Sequence, residues 1–101
     1  MKVIIQTPDV NAQQSLLDFV DEKVQKLSQF SERIIDARVT LRTDKSDNRE
    51  NKFCEIKVGI PGNDLFVSKQ AASFEEATLD AVDAMKRQIN DWKNMTRPVA
   101  R

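Results

Sequence analysis

The sequence contains no histidine, no tyrosine, one cysteine, one tryptophan and two glycines among its 101 residues. Each shortage removes a class of chemistry. Without histidine the commonest general base is missing, and so are the usual zinc ligand sets. The single cysteine, Cys54, cannot close a disulfide within the chain, in keeping with a reducing compartment. No G-x-S-x-G, Walker or G-x-G-x-x-G pattern stands in for the missing base or cradles a phosphate. No apolar run approaches the roughly 20 residues that span a bilayer, and the opening MKVIIQ is far too short for a signal-peptide core. These absences predict a cytoplasmic protein that is not an enzyme, with no catalytic residues, metal, cofactor, membrane contact or small-molecule substrate.

Charge of one sign is also lacking: 16 lysines and arginines balance 16 aspartates and glutamates. The overall field therefore directs the chain toward neither nucleic acid nor membrane, and any electrostatic partner must be met by a local patch. With 40% apolar residues, the material suffices for one core and not two, so residues 1–101 read as a single domain.

Residues 2–7 (KVIIQT) are rich in β-branched side chains and end at Pro8-Asp9, which predicts a short strand and a turn. From Asn11, a suitable cap, Leu16, Leu17, Val20, Val24 and Leu27 recur at helical spacing, with Asp18, Asp21, Glu22, Lys23 and Lys26 on the other side. This predicts an amphipathic helix over roughly 12–30. Ile35, Ala37, Val39 and Leu41 alternate with Asp36, Arg38, Thr40 and Arg42, the period of a strand with one buried face. Residues 43–52 are all polar and read as a mobile connection between hairpin strands. Cys54, Ile56, Val58 and Ile60 alternate again, and Pro61-Gly62-Asn63-Asp64 turns the chain into LFVSKQ as a tight hairpin. Ser73, with Glu76 three residues on, forms a capping box for a second amphipathic helix that Pro98 ends. The order is βαβββα, an α+β fold in which both helices pack on one face of a four-stranded sheet and leave the other open.

The chemistry resides in the bases. In the second helix Glu75, Glu76, Asp80 and Asp83 crowd the start, whereas Lys86, Arg87, Lys93, Arg97 and Arg101 dominate the end. That polarity complements the helix macrodipole and needs no ligand. Yet Lys86, Asn90, Lys93 and Arg97 fall at i, i+4, i+7 and i+11, a stripe suited to following phosphates. Lys23 and Lys26 stand one turn apart on the first helix, diluted by Asp21 and Glu22. Trp92 lies on the apolar stripe and reads as packing. Phe53 alternates with the core set and so belongs on the open sheet face, where stacking on a base or covering by a partner chain would each account for it. Cys54, on the inward face, reads as a buried and inert thiol.

Three segments together carry a family resemblance: FVDEKVQKLSQFSERI in the first helix, EIKVGIPGNDLFV in the hairpin and SFEEATLDAVDAMKRQINDWK in the second helix. The chain resembles the ribosome hibernation-promoting factors, also called ribosome-associated inhibitors, over nearly its whole length, and βαβββα is that family's fold. The resemblance implies binding to the small ribosomal subunit in the channel used by messenger and transfer RNA, so that translation stops and idle ribosomes are preserved under stress and in stationary phase. It further implies ribosomal RNA contacts by Lys23 and Lys26 on the first helix and by Arg87 and Lys93 on the second. Lys86 and Arg97 join them from the stripe, and Arg38 and Arg42 on the second strand are weaker candidates. Family members often carry further bases where this chain has Ala84, Asp91 and Met95, which implies a weaker phosphate contribution here. The chain resembles the family's short form; long members add a C-terminal dimerisation domain. A homodimer or a second hibernation protein is a further partner in keeping with the family. The alternative is a protein-interaction module, such as a modulator of a transcription factor, that acts through an apolar patch on the open sheet face.

Overall fold

Alternating segments pair into one four-stranded sheet, and two helices cover one of its faces. The computed structural model describes residues 1–45 and 49–96, with Thr96 as backbone only. The elements are β1 (Lys2–Gln6), α1 (Gln14–Gln25), a 3₁₀ segment (Lys26–Phe30), β2 (Asp36–Thr43), β3 (Lys52–Ile60), β4 (Asn63–Ala71) and α2 (Phe74–Thr96). The strands lie in the order β1-β2-β3-β4. β1 runs parallel to β2, and the other pairs are antiparallel. The parallel pair requires a crossover, which α1 supplies.

Register aligns the apolar sets of all four strands into rows. Val3, Ala37, Val58 and Leu65 form one row, and Ile5, Val39, Ile56 and Val67 the next. Val20, Val24 and Leu27 from the first helical segment, and Ala77, Ala81, Met85 and Ile89 from α2, close over these rows as one core. The β3–β4 turn is the tight one expected: Ile60 pairs with Asn63, leaving Pro61 and Gly62 as the loop. Gly62 has φ +81°, the left-handed position that follows proline in a type II turn and that glycine takes without strain.

Some boundaries differ from the sequence reading. Asn11 is not the cap of α1; Gln13 occupies that position without a side-chain hydrogen bond. The helical pattern to residue 30 is divided, because Ser28 Oγ donates to the Gln25 carbonyl at 2.8 Å. Such a side-chain bond competes with the α ladder, and the chain tightens into 3₁₀ winding. Ile35 is 63% exposed, and Ile34 takes its place in the core. Ile35 lies one residue before the β1–β2 pairing begins at Lys2 and Asp36, outside the covered part of the sheet. The β2–β3 ladder extends one step past Thr43, through Asp44 N donating to the Asn51 carbonyl at 2.8 Å. Residues 46–48 of the expected mobile connection, and Pro98 beyond α2, lie outside the described residues. The Ser73 cap is present: the Glu76 backbone N–H donates to Ser73 Oγ at 3.1 Å. Among the described residues no helix is long and apolar enough to cross a membrane, and no cluster of three or more His, Cys, Asp or Glu could hold a metal ion.

Two buried groups generate predictions. Thr78 is fully buried on α2, and its Oγ1 has no partner at hydrogen-bonding geometry. The Cys54 sulfur beside it is a weak acceptor, so the hydroxyl counts as unsatisfied. Thr78→Val removes that group at nearly constant shape and should raise stability by about 1 kcal/mol, read as a higher urea midpoint with an unchanged slope; a lower midpoint would reveal a real partner for the hydroxyl. The Cys54 thiol is pushed up from 9.0 to about 11, by burial first, with the Thr78 hydroxyl acting in the opposite direction and the Glu55 carboxylate adding to the rise. The folded value lies above the unfolded one, so this contribution is complete below pH 9 and is lost as the pH rises toward 11. Compared with Cys54→Ala, the wild-type protein should lose an additional ~2–3 kcal/mol of unfolding free energy across that window. Parallel pH profiles of the two proteins would refute the assignment.

Candidate nucleic-acid interface

The bases nominated from the sequence divide between two faces. Lys23 sits on the last turn of α1 and Lys26 at the start of the 3₁₀ segment, one turn apart. Across from them α2 presents Lys86, and the three lysines rim a groove of about 330 Å³ between the helices. Leu79 and Val82 line it with apolar surface, and Asp80 and Asp83 place two carboxylates beside the three ammonium groups. The groove is therefore basic by a narrow margin, which suits a neutral chain that must concentrate its positive charge locally.

Each lysine is held differently. Lys23 Nζ lies 3.8 Å from Glu22 and 5.5 Å from the centre of the Phe19 ring. Lys86 Nζ lies 5.7 Å from the centre of the Phe30 ring, a contact between α2 and the 3₁₀ segment. Among the described residues neither Lys26 nor Lys86 forms an ion pair with a carboxylate. Arg87, one position round the helix from Lys86, is well exposed and pairs with Asp83 at 3.7 Å. Screening by solvent makes such an i, i+4 pair weak, so Arg87 can exchange it for another anion.

Because α2 persists to Thr96, Lys86, Asn90 and Lys93 do form a continuous stripe leading away from the groove; Arg97 lies outside the described residues. Trp92 is half-buried against the core, with the Arg33 guanidinium 4.6 Å over its ring, the packing role its position predicted. Sequence reasoning overlooked Arg33, Phe19 and Phe30. The i, i+4 spacing of Phe19 and Lys23 was a usable signal; nothing local to Phe30 points to Lys86.

Arg38 and Arg42 stand on the far side of the sheet. Arg42 donates from Nε and Nη2 to Glu55 Oε2, at 3.2 and 3.1 Å, and its guanidinium covers the Phe53 ring at 4.2 Å. Arg38 pairs with Asp36 at 3.6 Å and Lys57 with Asp64 at 3.8 Å. The Asp36 carboxylate lies over Gly59 so closely that a β-carbon there would stand 2.6 Å from Oδ1, so a larger residue would make the carboxylate swing aside. Phe53 does reach the open face, but beneath Arg42. Exposed Phe66 and half-buried Ile4 are separated in their row by Lys57 and Arg38. The open face carries paired charges between its apolar residues rather than one contiguous apolar patch. A second groove, of about 420 Å³, runs beside β4 and the end of α2 past Leu65, Trp92 and Met95, and among the described residues no base lines it.

Comparison with known proteins gives this geometry a context. The N-terminal domain of Protein Y from Thermus thermophilus superimposes with a TM-score of 0.77 at 22% identity, over 91% of this chain and 99% of that one. A ribosomal subunit interface protein from Coxiella burnetii does so with a TM-score of 0.80 at 13% identity, over 93% and 99%. At these identities the likeness is one of fold. A ribosome hibernation promotion factor from Deinococcus radiodurans is 28% identical over 86 residues, 84% of this chain but 45% of the relative, so the chain spans about half of that protein's length. The family model for the sigma 54 modulation protein / S30EA ribosomal protein matches residues 3–97, and with nearly every residue thus accounted for, the chain belongs to that family of ribosome hibernation factors.

Proposed function

We propose that the chain is a translation inhibitor that binds the small ribosomal subunit through the bases of both helices. It contacts ribosomal RNA within the channel for messenger and transfer RNA and preserves idle ribosomes when growth stops. The place of action is then the cytoplasm. The observation that carries this reading is the meeting of Lys23, Lys26 and Lys86 in one groove, from elements far apart in a chain with no net charge. Family membership and the hibernation factor of Deinococcus radiodurans support the ribosome as partner.

Phosphate groups suit this groove for a physical reason. Ammonium groups are compact charges with three donors each, able to meet phosphate oxygens from several directions. Arg87 and Lys93 extend the contact along α2. Engagement of about 4 to 6 phosphates gives a log–log salt slope of order −3 to −5, a moderate electrostatic term that shape complementarity must supplement.

Sedimentation of the protein with isolated small subunits at graded salt tests this. Wild-type protein should co-sediment at low salt and leave the pellet with that slope, and the combined Lys23→Ala, Lys26→Ala and Lys86→Ala variant should bind at least about tenfold more weakly. Arg38→Ala, on the opposite face, should bind as the wild type does. Failure of the wild-type protein to co-sediment at low salt, or equal loss from both variants, rejects the helix-face reading.

A further inference from the structure

Contacts between a base and the face of an aromatic ring recur among the described residues, the geometry in which the ring quadrupole attracts a cation. Two of the three lysines that rim the interhelical groove lie over rings, Lys23 on Phe19 and Lys86 on Phe30. On the open sheet face and the outer flank of α2, Arg38, Lys57 and Arg87 lie against carboxylates, and Arg42 against both a carboxylate and the Phe53 ring. These two ways of restraining a base differ in consequence. A carboxylate fixes the base but cancels its charge, whereas the face of a ring fixes it through the ring quadrupole and leaves the charge and the N–H donors available.

We propose that Phe19 and Phe30 are positioning residues of the phosphate-binding groove, holding the Lys23 and Lys86 ammonium groups on opposite walls before any ligand arrives. This rests on the helix-face reading above and deepens it. Lysine is otherwise poorly suited to preorganisation, because its four-carbon stem loses much rotamer freedom when it is fixed. Here part of that loss occurs on folding rather than on binding. The Lys86 contact is the more telling of the two: it joins α2 to the 3₁₀ segment, and among the described residues Lys86 forms no ion pair although Asp80 and Asp83 line the same groove, whereas Lys23 also reaches Glu22. Both rings pack against the core, which fixes their faces.

The test combines Phe30→Leu and Phe30→Tyr with two readouts: the proton shifts of the Lys86 ε-methylene in the free protein, and the dissociation constant for isolated small subunits. In the wild-type protein the ring should move the ε-methylene upfield. Phe30→Leu should abolish that shift and weaken subunit binding about two- to fivefold, and Phe30→Tyr should preserve both. Phe19→Leu should do the same to Lys23 with a smaller loss. Should Phe30→Leu not fold, ring-fluorinated phenylalanine at position 30 keeps the shape while weakening the quadrupole, and binding should fall with each added fluorine. An absent upfield shift in the wild-type protein, or a shift lost with binding unchanged, overturns the proposal. A wild-type protein that does not bind subunits at all overturns the helix-face reading and this inference with it. That result is distinct from one in which Lys86→Ala weakens binding and Phe30→Leu does not.

Discussion

Two amphipathic helices must bury their stripes on one side of one sheet, and the rest of the molecule follows from that constraint. The rows through Ala37 and Val39 on β2 and Val58 and Ile56 on β3 form the shared surface, with Val20 and Val24 seated over it from α1 and Ala81, Met85 and Ile89 from α2. Because both helices are drawn to the same apolar area, their flanks meet. Side chains at that seam are too near the core to be fully solvated and too near the surface to be buried, the environment in which long basic side chains place their stems on apolar surface and their heads in water. The groove is a product of packing before it is a site.

The same constraint leaves the other side of the sheet without a cover, and the chain handles it by pairing. Asp36 with Arg38, Glu55 with Arg42 and Asp64 with Lys57 hold their charges in local couples, and Arg42 also shields Phe53. A neutral chain thus has one surface where charge is internally compensated and another where compensation is incomplete. Net charge says nothing of this division; the partners chosen for each base decide it.

Much of the architecture was legible because the apolar period changes cleanly along the chain: the four strands, the hairpin at Pro61-Gly62 and the capped start of α2 at Ser73 all follow from local patterns. The errors concern boundaries that residue type alone does not decide. Ile34 and Ile35 are equally apolar, and only the start of the β1–β2 pairing decides which is buried. Asn11 is a good cap by residue type, but the helix starts at Gln14. The division of the first helix rests on one hydroxyl, that of Ser28, choosing a backbone carbonyl. For the interface, the stripe through Lys86, Asn90 and Lys93 was readable along a single helix. That Lys23 and Lys26 face Lys86, that Arg38 and Arg42 point away, and that Phe30 reaches Lys86 depend on the relation between elements, which local spacing does not encode.

The crossover between β1 and β2 bears on the order in which the molecule is made. α1 leaves the synthesising machinery early, yet the opposing wall of the groove belongs to α2, the last element of the fold, so Lys86 cannot face Lys23 until the strands between have been produced and paired. Without α2 the lysines of the first helical segment stand diluted by Asp21 and Glu22, with no second wall. The assembled charge of the groove is therefore a property of the folded domain and of no single segment: it comes into being only when α2 packs beside α1.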